Sequence, residues 1–290
     1  MNPSDIPGAI AAARSIVTDL GLTVDEAILV HVSNRLAVHF TPCDVLARVA
    51  PAEAQAGAAF ELAVATQLVE VGAPIAEPDP RVEPRTYRRD GEVVTLWTYY
   101  EQAIAPAVSA ADYASALKRL HAGLRRVEFA VPHLSDRVSQ AVQLVGRRGR
   151  KQALADTDLE VLRNTFRDLS GVIGGSPARE QLLHGEPHTA NIRITERGLL
   201  FIDLETCCRG PVEFDLAHLP AAVAQDYSGV DQELLDQCRA LVLAVAAAWR
   251  CDPADRLPNG QHFARELVNA LREGPPMPAL DVVGRRVIES

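Results

Sequence analysis

Residues 184–205 read HGEPHTANIRITERGLLFIDLE, with four carboxylates, two histidines and one asparagine in twenty-two residues. The second half of the stretch predicts a hairpin. Ile192–Thr195 and Leu199–Ile202 can pair as strands around a three-residue turn, Glu196-Arg197-Gly198, in which glycine is free to take the left-handed position. With Thr195 opposite Leu199, Asn191 lies across from Asp203. That register sets an amide oxygen and a carboxylate together at the open end of the hairpin. Such a hard oxygen pair can hold Mg2+ and leave positions for phosphate oxygens and water. Glu186 sits just upstream, where a carboxylate beside a magnesium–phosphate site can accept a proton from an attacking hydroxyl. His184 and His188 have the i, i+4 spacing of a helical zinc pair, but Gly185 and Pro187 argue against a helix there. An acidic loop before a hairpin can also be no more than a solvated surface, and the loop alone leaves that reading open.

The rest of the chain supplies context. Its 290 residues are enough for one large domain or two lobes. A hydrophobic fraction of 48% and a charged fraction of 23% are ordinary for a soluble globular protein. No apolar run approaches the roughly 18 residues of a membrane-spanning helix, so no membrane partner is expected. The N-terminal sequence lacks the basic start and cleavage site of a signal peptide, and a cytoplasmic location is expected. Five cysteines, Cys43, Cys207, Cys208, Cys238 and Cys251, make no CxxC pair and read as ordinary thiols in a reducing compartment. The net charge of −9 disfavours nucleic acid as a partner and suits a cationic small molecule. The basic run RRGRK at 147–151 reads as a solvated face.

Along the chain, a first helix is expected after Ser4 or Asp5, with Pro7 in its first turn, ending at Gly21. Residues 27–40 read as strand, turn at Ser33-Asn34-Arg35, strand; residues 44–49 form a third strand. A long helix follows over about 52–71, closed by Gly72 and Pro74. Two more strands flank Asp90-Gly91. After Glu101 the periodicity is helical, over 111–124 and roughly 154–170, 231–250 and 262–272, with strands confined to the opening stretch. The fold class is therefore α+β: a small antiparallel β-rich lobe with one long helix, residues 1–101, and a larger mainly helical lobe, residues 102–290.

The pattern HGExHxxN followed by IDxE resembles the aminoglycoside phosphotransferase family, relatives of the protein kinases, which carries HGDxHxxN and then a metal-binding aspartate. GPVEFDLAH at 210–218 and LKRLHAGL at 117–124 resemble the family's next segment and its LxxLH helix. The resemblance implies a bilobal protein-kinase-like fold, with ATP or GTP as phosphoryl donor, Mg2+, and a small hydroxylated acceptor such as an antibiotic, sugar or related metabolite. It implies a catalytic role for Glu186, Mg2+ ligation by Asn191 and Asp203, and structural support of the catalytic loop by His184 and Asp215. Arg48 falls on the third strand, where the family places Lys or Arg on the nucleotide phosphates. Glu61, at the edge of the stripe Phe60, Val64, Leu68 and Val71, is its expected ion-pair partner. Ser33 would lie at the tip of the flap over the phosphates, and backbone near Thr98 to Tyr100 would meet the adenine. Glu205 is a further candidate for the metal shell. Glu186 stands where the family has aspartate, which keeps a second reading open: a catalytically silent kinase-fold protein that binds nucleotide or a partner. Retention of Asn191 and Asp203 favours the enzyme.

Overall fold

A computed structural model describes residues 4–33, 35–103, 108–147, 154–169, 171, 180–252, 255, 257 and 259–289. Asn34, Ser170 and residues 148–151 of the basic run lie outside them. The chain packs as two units, Met1–Pro106 with Ile192–Glu205, and Ala107–Asn191 with Thr206–Ser290. In chain order the first stretch holds α1 (Ile6–Asp19), β1 (Val24–Val32), β2 (Leu36–Pro42), β3 (Val45–Pro51), α2 (Gln55–Glu70), β4 (Tyr87–Arg89) and β5 (Glu92–Thr98). Then come α3 (Ala110–Leu124), α4 (Leu134–Gly146), α5 (Asp156–Asp168), β6 (Glu180–Leu183), β7 (Ile192–Thr195), β8 (Gly198–Phe201) and β9 (Cys208–Pro211). The last elements are α6 (Val212–Ala217), α7 (Ala221–Gln225), α8 (Gln232–Trp249), α9 (Gly260–Glu273) and α10 (Leu280–Glu289).

The first unit is built on an antiparallel sheet of order β1-β2-β3-β5-β4. Alternation along β2 and β3 sends Leu36, Val38, Phe40, Val45, Ala47 and Val49 to one face, where Ala9, Ala13, Ile16 and Val17 of α1 cover them. Leu46 and Arg48 take the other face, and Arg48 pairs with Thr95 of β5. Asp90 and Gly91 close β4–β5 with φ of 52° and 83°, the paired left-handed residues of a tight hairpin turn. A single 3-10 turn, Ala52–Ala54, leads into α2.

The hairpin β7–β8 belongs to this unit, in a register one residue from the expected one. Thr195 pairs with Gly198, and Ile192 with Phe201, so the loop is Glu196-Arg197 and the pairing that would oppose Asn191 to Asp203 does not form. The Thr195 hydroxyl explains the shorter turn: it donates to the Gly198 carbonyl at 3.0 Å and accepts from the Arg197 amide at 3.1 Å. Gly198, at φ 103°, absorbs the strain as the first residue of β8.

The second unit is mainly helical. Its central helix, α8, starts with an exposed polar turn and is apolar all round from Ala240 onward, with Leu235, Cys238, Leu241, Val242, Ala244 and Val245 inside. Helices α4, α5, α6 and α9 pack against it. The expected helices correspond to α3, α5, α8 and α9, while α4, α6, α7 and α10 went unread. Strands are not confined to residues 184–205: β6 precedes that stretch and β9 follows it, and the two pair antiparallel, Leu183 opposite Cys208. No helix among the described residues is long and apolar enough to cross a membrane.

Candidate active site

Two clusters of buried charged side chains contain the expected residues, one in each unit. In the first unit, Glu61 is fully buried, in the middle of the inward face of α2 with Ala58, Leu62, Val64, Ala65 and Leu68, and not at the edge of the expected stripe, whose ends Phe60 and Val71 are only half-buried. It can sit there because two guanidinium groups neutralise it. Arg48 donates from Nη1 to Oε1, and Arg35, just before β2, donates from Nη1 to Oε2 at 2.7 Å. The Leu204 amide adds a third bond to Glu61 at 3.3 Å. Arg48 reaches on from Nη2 to Asp203 Oδ1 at 3.1 Å, and Arg35 pairs with Glu205. Burial works against the charge on Arg48, yet Glu61 and Asp203 outweigh it and hold the pKa above its ordinary value. Asp203 itself takes φ 68°, a left-handed turn immediately after β8 that aspartate tolerates better than most residues.

In the second unit the loop 184–191 is fixed from beneath. Asp215, in α6, is wholly buried and accepts the amides of His184 at 2.9 Å and Gly185 at 2.8 Å. His121 of α3 completes the set at 2.9 Å and is itself bonded to the Tyr227 hydroxyl at 2.7 Å. Burial would raise the Asp215 pKa, but His121, His184 and the loop amide carry it below the usual aspartate value. The His184 ring accepts the Glu186 amide at 3.3 Å, and the Tyr113 hydroxyl holds the Pro187 carbonyl. Gly185 has φ 92°, and a β-carbon there would collide with the Thr206 carbonyl. Only glycine fits this turn.

Glu186 is not a lone carboxylate. Arg137 of α4 donates from Nη2 to its Oε1 and from Nη1 to the carbonyls of Gly185 at 3.3 Å and Thr206 at 3.2 Å. Burial would push the Glu186 pKa up, but Arg137, with His218 and His188 beside it, holds it below the usual glutamate range. Asn191 is buried and donates from Nδ2 to the Glu186 carbonyl at 3.0 Å. That bond fixes the amide with its oxygen left to accept, the orientation a hard cation requires. Asn191 in this unit and Asp203 in the other are thus oxygen donors of the kind Mg2+ takes. Among the described residues no group of three or more His, Cys, Asp or Glu could hold a metal.

Other expected residues stand differently. Ser33 is exposed and bonds back to Arg35. The Thr98 amide donates to the Glu77 carbonyl at 2.9 Å and the Tyr99 amide to the Asp44 carbonyl at 3.1 Å. Neither amide is therefore available to donate to an adenine ring. Burial raises the Tyr100 pKa. Arg35, Arg137 and His218 were not singled out from the sequence. Arg137 had a readable signal: His133 and Asp136 form a capping box at the start of the apolar repeat Leu134, Val138, Ala141 and Val145.

A family model described as the phosphotransferase enzyme family matches residues 27–250. No match is found among curated protein sequences. Among solved structures, an amicoumacin kinase in complex with AMP-PNP, Ca2+ and Ami superposes with a TM-score of 0.68 at 10% identity, over 96% of this chain and 98% of that one. A choline/ethanolamine kinase family protein from Mesorhizobium loti gives 0.63 at 15% identity, over 94% and 99%. An aminoglycoside phosphotransferase from Streptomyces rimosus gives 0.57 at 18% identity, over 92% and 98%. At these identities the likeness is one of fold, and the fold is kinase-like.

Proposed function

The chain belongs to the phosphotransferase enzyme family, and from that premise we propose that it is a small-molecule kinase. It moves the γ-phosphoryl group of ATP or GTP to a hydroxyl of an aminoglycoside-like antibiotic, a sugar or a related metabolite. The observation that supports this most directly is the buried Glu61 paired with Arg48, which also meets Asp203. A fixed cation braced by a carboxylate is what a phosphate-binding strand needs. The solved relatives include complexes with ADP and streptomycin and with GDP and kanamycin, which favours a nucleoside triphosphate donor and a hydroxylated acceptor.

In this reading the first unit, with residues 1–101, binds nucleotide, and the helical unit carries the catalytic loop and the acceptor. Arg48, oriented by Glu61, neutralises the nucleotide phosphates. Ser33 lies over them, and the segment from Thr98 to Tyr100 borders the base. Asn191 and Asp203 hold Mg2+, which when bound neutralises charge on the phosphates. Glu186 accepts the proton of the attacking hydroxyl, on a loop held by His184 and Asp215. The reaction runs in the cytoplasm, and transfer to a drug would make the protein a resistance determinant. A panel of hydroxylated antibiotics and metabolites, each with Mg2+ and ATP or GTP, tests this by mass spectrometry of the products. Phosphorylated product is expected with at least one acceptor.

A second reading, a catalytically silent binding protein, is favoured by one observation: the carboxylate of Glu186 is engaged by Arg137. No transfer by the parent, combined with transfer by Glu186→Asp, would establish it.

A further inference from the structure

Beside Glu186 lies a group that these roles do not use. His218 caps the C-terminal end of α6, its amide bonded to the Asp215 carbonyl at 3.2 Å. Its side chain is only 6% exposed, yet neither ring nitrogen has a hydrogen-bond partner among the described residues. Phe214 stands edge-on to the ring with centroids 5.2 Å apart, and the His188 ring is 6.3 Å away. Leaving a buried polar group unsatisfied costs on the order of 1–3 kcal/mol, and native structures keep few such groups without a reason. Burial outweighs the pull of Glu186 and pushes the imidazole down to about 3. At neutral pH the ring is therefore uncharged, with one nitrogen donating and the other accepting.

The carboxylates nearby are already committed. Asp215 is taken up by His121, His184 and Gly185, and Glu213 accepts the Asp231 amide at 3.1 Å. Glu186 carries Arg137. Asp215 and Glu213 are buried, so an ammonium group next to the reacting hydroxyl would meet Glu186, whose charge Arg137 already neutralises, and it would face that guanidinium. A neutral hydroxyl would find both a donor and an acceptor on the His218 ring.

We propose that His218 contacts the acceptor: its imidazole exchanges a hydrogen bond with a hydroxyl adjacent to the one phosphorylated, so the reacting end of the acceptor is a neutral polyol rather than an amino alcohol. This rests on the reading of Glu186 as the group that takes the acceptor proton.

The test compares two ring alcohols of similar size, myo-inositol and 2-deoxystreptamine. The first carries neighbouring neutral hydroxyls; in the second, ammonium groups flank the ring hydroxyls. Each is offered with ATP and Mg2+ to the full-length parent, His218→Phe and His218→Gln, and product is followed by mass spectrometry. The parent is expected to prefer myo-inositol in kcat/KM. His218→Phe is expected to raise the KM for it about three- to tenfold, as the loss of one neutral hydrogen bond predicts, without lowering the melting temperature. His218→Gln, which keeps a donor and an acceptor, recovers most of that loss. Preference for 2-deoxystreptamine, transfer to neither compound, or an unchanged KM in His218→Phe would each overturn the proposal. So would a lowered melting temperature in His218→Phe, which would mark a packing residue. Slow ATP hydrolysis by the parent and by Glu186→Gln separates the two failures. If hydrolysis depends on Glu186 while the acceptor results fail, His218 is misassigned. If hydrolysis is absent or indifferent to Glu186, the reading of Glu186 falls, and this proposal with it.

Discussion

Glu186 carries one methylene more than the aspartate of the resembling family, and Arg137 meets the end of that longer arm. General-base assistance typically supplies on the order of a hundred- to ten-thousand-fold in rate. Glu186→Gln is therefore expected to lower turnover at least about a hundredfold with nucleotide affinity little changed, as steady-state kinetics with a true acceptor would read. Unchanged turnover would remove Glu186 from the chemistry. Asp215 gives a pH prediction. Its pKa lies below the ordinary aspartate value in the folded protein, so the unfolded chain binds more protons in acid. The stability it contributes is present above about pH 4 and is lost as pH falls through the folded value. Asp215→Asn should cost about 3 kcal/mol at neutral pH, the scale of breaking a buried charged network, and should flatten the acid limb of a denaturation series. A variant as stable as the parent at pH 7 would contradict this. Glu186, Asn191, Asp203 and Asp215 were legible because they fall within one short spacing pattern. Arg137 and Glu186 lie 49 residues apart, and no local pattern connects them.

At the level of elements, sequence was a good guide to which strands and long helices exist and a poorer one to how they meet. The β7–β8 hairpin was foreseen, but its register turned on the Thr195 hydroxyl, which hydrogen-bonds within the turn and shortens it. A one-residue change reassigns every cross-strand neighbour. Helix α4 was missed although its cap and apolar repeat were present, because its polar face is long and no motif drew attention to it. The strand pair β6–β9 could not be read locally, since each partner is four residues long and Gly210-Pro211 is weak strand sequence. The sharp element is the turn at Gly185. Gly185→Ala adds a side chain at positive φ against the Thr206 carbonyl. It is expected to destabilise by about 3 kcal/mol, combining backbone strain with overpacking, as urea denaturation would measure. A loss under about 0.5 kcal/mol would mean the loop is not held as described.

For the whole molecule, ligand linkage gives a test that needs no acceptor. A ligand at a hundred times its Kd stabilises the native state by about 2.7 kcal/mol. ATP with Mg2+ should then raise the melting temperature of the parent by several degrees. Asp203→Ala should stay folded and lose the magnesium-dependent part of that rise together with turnover; a full magnesium-dependent rise in the variant would argue against Asp203 as a ligand. The discontinuous make-up of the first unit has a further consequence. Phe201 is fully buried and bonded to the Pro74 carbonyl at 2.9 Å, its own carbonyl receiving the Ala76 amide at 2.9 Å; the Ile194 carbonyl receives the Ala103 amide at 2.9 Å. None of these bonds can form on the ribosome until residues 192–205 have left the exit tunnel, long after the sheet strands have been made. During synthesis the nascent sheet therefore waits with Ile75 uncovered and Glu61 short of the Leu204 amide. A fragment ending at residue 106 should expose that apolar edge and aggregate, and a synthetic peptide of residues 192–205 added in trans should restore its solubility.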